Sequence, residues 1–537
     1  MWRYPVQEPK KFFLFEPVSF VYHVFLVFYI KRSMGIIQKQ SIRSTIGISI
    51  GFAIGAFNLL VLAPKFLSTE QLGLTRLITD FGITLATLCT LGSLPVIYKF
   101  FPFYKSHLSP AKNDLPFITI LICLAGFVVL SSAGYFFRNI IIQKFNTKSS
   151  LFVEYSWLVY PFCFFYLLYL WLEGFGWSLK KGVASNLLRE MAPRLLFTLL
   201  LLLFFFRLIT LLQFLILFSL SYAFPAVVLF IILKRTGQFN FNASVSSLTT
   251  RLKSKMINFG LFIFGAQFLN LLSRTADTFI ISSKAERGLT DTAVFTIATY
   301  VVTLMEIPQR SITSISIPVL SESWKNKNMR SISNIYTKSV ANLLIIGLSM
   351  FCLVLLNVHN LAIFLGKDYK GIEMVVFFLG ISKLIDLGTG ANSQIISTSN
   401  YWKVDFTTTV IFTIIALPLN YILIAHYGLM GAAYATLIAI IFYNGMRFGF
   451  LWFKFGLQPY TWKDVLAIVY AAIAAILSHY LPRIPNIFAD SALRTFVFCL
   501  LFFPPVYFTG VSAEVNQLIK KYILLIKVTI FRKEKSN

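Results

Sequence analysis

The sequence has few charged residues, 13% of 537, and few acids among them: 21 Asp and Glu stand against 48 Lys and Arg. A chain that is 57% hydrophobic and 17% aromatic has too little polar surface to shield its apolar atoms from water, which excludes an ordinary soluble domain. There are only five cysteines, Cys89, Cys123, Cys163, Cys352 and Cys499. All lie in or at the ends of apolar runs and none forms a CxxC pair, so neither a disulfide framework nor a zinc site is expected. The five histidines, His23, His107, His359, His426 and His479, are isolated and lack a second ligand at helical spacing, which argues against a metal centre. The longest connection between apolar runs carries no nucleophile or nucleotide-phosphate motif, and no cofactor is expected.

What is abundant is hydrophobic length. Apolar runs of roughly 18 to 25 residues recur along the chain, each long enough at about 1.5 Å per residue to cross about 30 Å of hydrocarbon. About fourteen such runs predict an all-α polytopic membrane protein whose solvent is the lipid bilayer. The candidate spans are 45–62, 77–97, 115–137, 155–172, 190–206 and 211–233, then 256–282, 293–317, 339–357, 372–396, 406–425 and 429–451, and finally 464–480 and 493–511.

In a soluble protein the net charge of +27 would suggest a nucleic-acid partner; here the basic residues fall mainly between spans, where they set orientation. Placing residues 34–45 in the cytoplasm puts about 26 Lys and Arg inside against about 12 outside, with both termini cytoplasmic. The stretch after span 6 holds Lys234, Arg235, Arg251, Lys253 and Lys255 without one acid. It is expected to be a cytoplasmic linker, 236–255, between a first lobe over 34–235 and a second over 256–453. Two further helices over 454–511 and a Lys-rich cytoplasmic tail over 512–537 complete the organisation. Residues 1–33 form a poor span, interrupted by Glu16, Pro17 and His23, and Met34 is the expected start of the chain. The segment Gly55-Ala56-Phe57-Asn58-Leu59-Leu60 echoes Gly265-Ala266-Gln267-Phe268-Leu269-Asn270-Leu271-Leu272, and Glu70-Gln71-Leu72-Gly73-Leu74-Thr75 echoes Glu286-Arg287-Gly288-Leu289-Thr290. Each half is thus expected to open with a helix, a glycine-containing elbow and a second helix.

An ionisable residue inside a span costs about 2.5–3.5 kcal/mol on insertion scales, so each asks for a partner or a wet cavity. Three pairs share a helix face: Arg274 and Asp277, Glu306 and Arg310, Lys383 and Asp386. As ion pairs they could simply orient helices. As functional groups, guanidinium forks match phosphate oxygens, and a carboxylate beside them suits exchange of a proton or sodium ion. Arg274, Arg310 and Lys383 are therefore candidate substrate-binding residues, and Asp277 and Asp386 candidate ion-coupling residues. Asp80, Arg194 and Arg447 are expected to be interfacial or to snorkel. Asn392, Gln394 and Asn420 suit either sugar hydroxyls or helix joining. Pro95, Pro161, Pro225, Pro308 and Pro418 interrupt backbone bonding within spans.

Several stretches together resemble the polysaccharide repeat-unit flippases of the MOP exporter superfamily, which also includes multidrug MATE exporters and lipid II flippases. They are Met34-Gly35-Ile36-Ile37-Gln38-Lys39-Gln40-Ser41, the elbow from Glu70 to Arg76, Pro308-Gln309-Arg310 leading to Ile317-Pro318-Val319-Leu320, the run from Lys383 to Ile396, and Pro418-Leu419-Asn420-Tyr421 followed by Gly428-Leu429-Met430-Gly431-Ala432-Ala433. The resemblance implies two six-helix lobes in pseudo-twofold relation, two trailing helices and alternating access to a central cavity. It further implies transfer of undecaprenyl-pyrophosphate-linked oligosaccharide across a bacterial inner membrane, with Arg76 and Asn392 joining the substrate-binding set. Polysaccharide polymerase or ligase proteins are the partners it suggests. The sequence departs from the strongly cationic first lobe of lipid II flippases, because span 1 has no central arginine. Two alternatives compete: a small-molecule exporter of the same fold, whose pocket would be acidic and aromatic, and a membrane enzyme such as a polymerase, which would display a large outside loop with paired functional residues.

Overall fold

The structure, a computed structural model, describes residues 50–511 and Asn516, apart from the side chains of Ile141, Ala266, Asn270, Arg274, Ser311, Ser314, Ile315 and Pro318. The expectations for residues 1–33, the start of span 1 and the tail lie outside the described residues, save Asn516. Among the described residues every regular element is helical. Ten helices are long and apolar enough to cross a membrane, and Ile50–Phe66 and Leu289–Thr303 are shorter apolar helices. Among the described residues the expected intervals fall on helix, though several helices outrun the apolar run that announced them.

Caps set the true ends. Span 2 begins at Thr69, where the Ser68 hydroxyl accepts from the Gln71 amide at 3.2 Å and the Gln71 side chain accepts from the Ser68 amide at 3.0 Å. The same reciprocal box opens span 6 at Thr210 and Gln213. Span 7 starts at Ser247 rather than 256, because the Ser246 side chain caps it and Asp114 accepts from Ser246 and Thr249. The basic half of the expected linker is therefore the first turns of a helix running to Lys284.

The breaks inside spans follow a rule that the prolines set. Pro95, Pro161, Pro225 and Pro308 each stand third in a new helical segment, those starting at Ser93, Val159, Ala223 and Glu306. A first-turn amide needs no partner four residues back, so a proline there costs little, whereas it could not continue the preceding segment. Pro418 alone of the five stands inside one uninterrupted helix, Trp402–Tyr427. Span 10 breaks instead at Gly390, whose φ is +63°, between Ile372–Gly388 and Asn392–Ser397.

Within the first group of helices, span 4 (Ser150–Ser178) packs on spans 2, 5 (Gly182–Phe205) and 6 (Leu211–Lys234). In the second, span 9 (Met329–Leu365) packs on span 10, which packs on span 12 (Leu429–Phe455), which packs on span 11 (Trp402–Tyr427). Spans 13 (Trp462–His479) and 14 (Ile487–Thr509) form a hairpin against span 9. Arg494 fixes that hairpin: it pairs with Asp490 at 2.7 Å and donates to the carbonyls of Ser478, His479 and Leu481 that end span 13. Asn360 of span 9 donates to the same Asp490 at 2.8 Å.

The two groups touch where span 2 meets Leu289–Thr303, the first segment of span 8. The echoed glycines turn out to play different parts. Gly73 lies inside a helix, five residues past the elbow at Ser68, whereas Gly288 is the elbow itself, with φ +47°. Both permit backbone contact: a Cβ on Gly73 would lie 2.0 Å from the Leu289 carbonyl oxygen, and one on Gly288 would strike the Lys148 carbonyl. The echoed segments thus pack on each other, with the Thr69 and Thr290 hydroxyls 3.4 Å apart.

Two outcomes test this packing. Arg494→Ala leaves Asp490 buried without its charge partner and is expected to destabilise the protein by about 3–5 kcal/mol, read as loss of unfolding free energy in detergent. Gly73→Val is expected to lengthen the distance between spin labels at the exposed positions Glu70 and Glu286, with the helical content retained.

Candidate functional site

A cavity of about 570 Å³ lies among spans 2, 7, 8, 10, 11 and 12. Its centre is a network on two of the broken spans, 8 and 10. Lys383, nearly buried in span 10, sits 2.8 Å from Asp386 one turn along and 3.0 Å from Glu306 of span 8. Gln309 donates to Asp386 at 3.3 Å and Asn444 of span 12 at 3.4 Å. The i,i+3 spacing of Lys383 and Asp386 makes their own contact; the break before Glu306 turns a third charge onto the same ammonium.

Around the centre lie further pairs. Arg76 bonds Asp80 at 2.8 Å and also faces the cavity. Asp80 is buried, not interfacial: span 2 starts earlier than its apolar run, which carries Asp80 into the packing against span 7. Arg447 is likewise buried rather than snorkelling. It pairs with Asp405 of span 11 at 2.6 Å and lies 3.8 Å from the Tyr443 ring centroid. Arg194 pairs with Glu190 at 3.0 Å, with a quarter of its side chain exposed.

The remaining candidates separate. Asp277 lines the cavity, and its Oδ1 atom is out of contact with water and has no hydrogen-bond partner among the described residues. Asn420 also lines it, and its Oδ1 is equally unpartnered. Asn392 is a wall residue whose amide is already engaged: it donates to Asn444 at 3.0 Å and accepts from the Ser393 amide. Arg310 bonds Glu306 at 3.4 Å but points away from the cavity, toward the Phe52 ring 5.3 Å off. The side chain of Arg274 lies outside the described residues. Reasoning from spacing missed Asp405 and Asn444, whose partners lie on other spans. Their polar character inside or beside apolar runs was the available signal.

Among the described residues six charged side chains line the cavity, Arg76, Lys383 and Arg447 beside Asp277, Glu306 and Asp386, and Arg76 and Arg447 are paired with Asp80 and Asp405. Hydroxyls and amides of Thr299, Thr303, Ser382, Ser393, Gln394 and Thr436 fill the intervals. Such a wall hydrates readily and offers both donors and acceptors to a polyhydroxyl solute.

No protein-family model matches the sequence, and no curated protein matches it. Solved structures do match in fold. The lipid II flippase MurJ in an inward closed conformation aligns with TM-score 0.69 at 15% identity, over 89% of this chain and 100% of that one. An inward-facing multidrug resistance MATE family transporter of the MOP superfamily aligns with TM-score 0.57 at 16% identity, over 74% of this chain and 94% of the other. A MOP superfamily transporter from Pyrococcus furiosus gives TM-score 0.51 at 15% identity, over 77% and 96%. The chain therefore has the helical membrane fold that these MOP-superfamily flippases and exporters share.

Proposed function

We propose that the protein is a flippase that carries undecaprenyl-pyrophosphate-linked oligosaccharide repeat units from the cytoplasmic to the periplasmic leaflet of a bacterial inner membrane. The observation that carries this reading is the hydroxyl- and amide-rich cavity, lined by charges of both signs among the described residues, on a fold shared with a lipid II flippase. A sugar chain cannot cross hydrocarbon unaided, because each hydrogen bond it surrenders to lipid costs kilocalories. A wall of paired charges and amides replaces water's hydrogen bonds along the path.

Lys383 is the hub of the wall. Removing it strands Glu306 and Asp386 without their shared cation, and both then draw other cations or protons into the cavity. In cells lacking the native copy of the gene, wild type is expected to restore surface polysaccharide and Lys383→Ala to reduce it more than tenfold at equal membrane abundance. Full restoration by Lys383→Ala would remove the cavity from the transport path.

Asp277 is the proposed coupling residue. Its Oδ1 and that of Asn420 belong to two lining residues of one cavity and accept from no donor among the described residues, a setting that suits a proton or a sodium ion. Export of an anion from an inside-negative cell is itself favoured by about 2.3 kcal/mol per charge per 100 mV, so coupling would assist rather than drive. Asp277→Asn is expected to leave a slow transport that no longer responds to an imposed sodium or proton gradient, measured in proteoliposomes. An unaltered gradient response would move the coupling site elsewhere.

A further inference from the structure

The stretch between spans 6 and 7 is not slack. Residues 238–246 have no regular structure, yet Phe239 is fully buried among the rings of Trp171, Phe175 and Phe230, with centroids 5.5, 5.2 and 6.1 Å away. All three rings belong to spans 4 and 6 of the first group. Where the stretch ends, Asp114 at the start of span 3 takes hold of span 7. Its carboxylate, shut off from solvent, accepts from the Ser246 amide at 2.7 Å, the Ser246 hydroxyl at 2.9 Å and the Thr249 hydroxyl at 2.7 Å. These donors and the positive end of the span 7 dipole offset its charge.

Beyond this clip the first half of span 7 lies on span 2, whose second segment is Ser93–His107. The Tyr104 hydroxyl is 2.6 Å from that of Thr249, and the Lys99 ammonium sits 3.8 Å from the Phe259 ring centroid. Gly92 and Gly260 bring the two backbones together: a Cβ on Gly92 would lie 2.6 Å from the Gly260 carbonyl oxygen, and one on Gly260 3.1 Å from that of Gly92. The tethering continues toward the other end of the helix. The Thr84 and Thr275 hydroxyls are 3.2 Å apart, and Ser149 donates to the Ser282 carbonyl at 2.5 Å. Toward the second group the contacts are of another kind. Phe262 stacks on Phe406 of span 11 at 5.7 Å, and the Lys284 ammonium lies 5.4 Å from the Tyr421 ring centroid. Ile257, Leu261 and Phe262 are each more than half exposed, so this part of span 7 is loosely covered away from span 2.

We propose that span 7 moves as part of the first group, clipped to it by Asp114, and that the two halves of the protein hinge at the elbow Ala285–Gly288. A stretch pinned through Phe239 and a helix end pinned through Asp114 leave no slack between spans 6 and 7 for a hinge. In lipid, hydrogen bonds and close backbone approach decide which neighbour a helix keeps, since apolar contact with protein or with lipid is nearly equivalent. Both join span 7 to the first group, whereas stacked rings slide. The elbow is the next interruption: span 7 ends at Lys284, Gly288 holds φ +47°, and Leu289 starts span 8. The boundary that charge and apolar length place at 236–255 thus moves to 285–288. The surfaces that part are then span 2 against span 8 and span 7 against span 11. The inference concerns the moving units and holds whatever the cavity carries.

The test is the distance between pairs of spin labels in the full chain in nanodiscs, first with the seal at Gly73 and Leu289 intact and then with it forced open by Gly73→Val. Labels at the exposed positions Lys105 of span 2 and Lys255 of span 7 should keep their separation. Labels at Lys255 and at Lys403, exposed at the start of span 11, should shift by about 5 Å or more, the scale of a helix displaced by one turn. Gly288→Ala, whose methyl strikes the Lys148 carbonyl, opens the same seal where Gly73→Val proves misfolded. Asp114→Ala, in otherwise wild-type protein, should broaden the Lys105–Lys255 distribution with the helical content retained. Any shift between Lys105 and Lys255 on opening the seal overturns the proposal, and with Lys255 and Lys403 fixed it returns span 7 to the second group. No shift in either pair overturns it also, because the elbow then hinges nothing. An unaltered distribution in Asp114→Ala overturns the clip.

Discussion

An ionised side chain in hydrocarbon persists only beside a partner, and the positions of these partners organise much of this protein. Arg494 and Asp490 hold the terminal hairpin shut and anchor it through Asn360 to span 9. Arg447 and Asp405 join spans 12 and 11, Lys383 joins spans 10 and 8, and Arg189 with buried Glu173 joins spans 5 and 4. Between helices that are equally apolar on every side, lipid gives no hydrophobic reason to prefer one neighbour over another. The ion pairs and amide bonds supply that preference. They also gather at one cavity, because charges excluded from lipid collect where water can reach them.

Backbone interruptions position the charged groups. The proline-opened segment at Glu306 and the left-handed Gly390 let spans 8 and 10 change course beside the cavity, which turns Glu306, Gln309, Asp386 and Asn392 toward common partners. At the elbow end, Gly73 and Leu289 bring the backbones of the two halves into contact, so the halves are joined there through small residues rather than interlocked side chains.

Much of this was legible in the sequence. Apolar length located the helical stretches of the described residues, and i,i+3 and i,i+4 spacing found the contacts of Lys383 with Asp386 and Arg310 with Glu306. Helix ends were less legible, since Ser68 and Ser246 start helices through caps that hydropathy does not register. Partnerships across spans were not legible at all: nothing local ties Arg447 to Asp405 or Lys383 to Glu306. For the same reason Arg194 looked like a snorkelling residue, although the glycines at 51 and 55 that receive it were in plain view.

The most direct test of the central claim is transbilayer movement of a fluorescent undecaprenyl-pyrophosphate oligosaccharide in proteoliposomes, scored by accessibility to an impermeant quencher. The account predicts that the purified protein equilibrates the labelled lipid between leaflets far faster than protein-free vesicles, and that a phosphatidylcholine carrying the same fluorophore is not moved. Folded protein that moves neither lipid, given a compatible sugar, or both lipids equally, would contradict it.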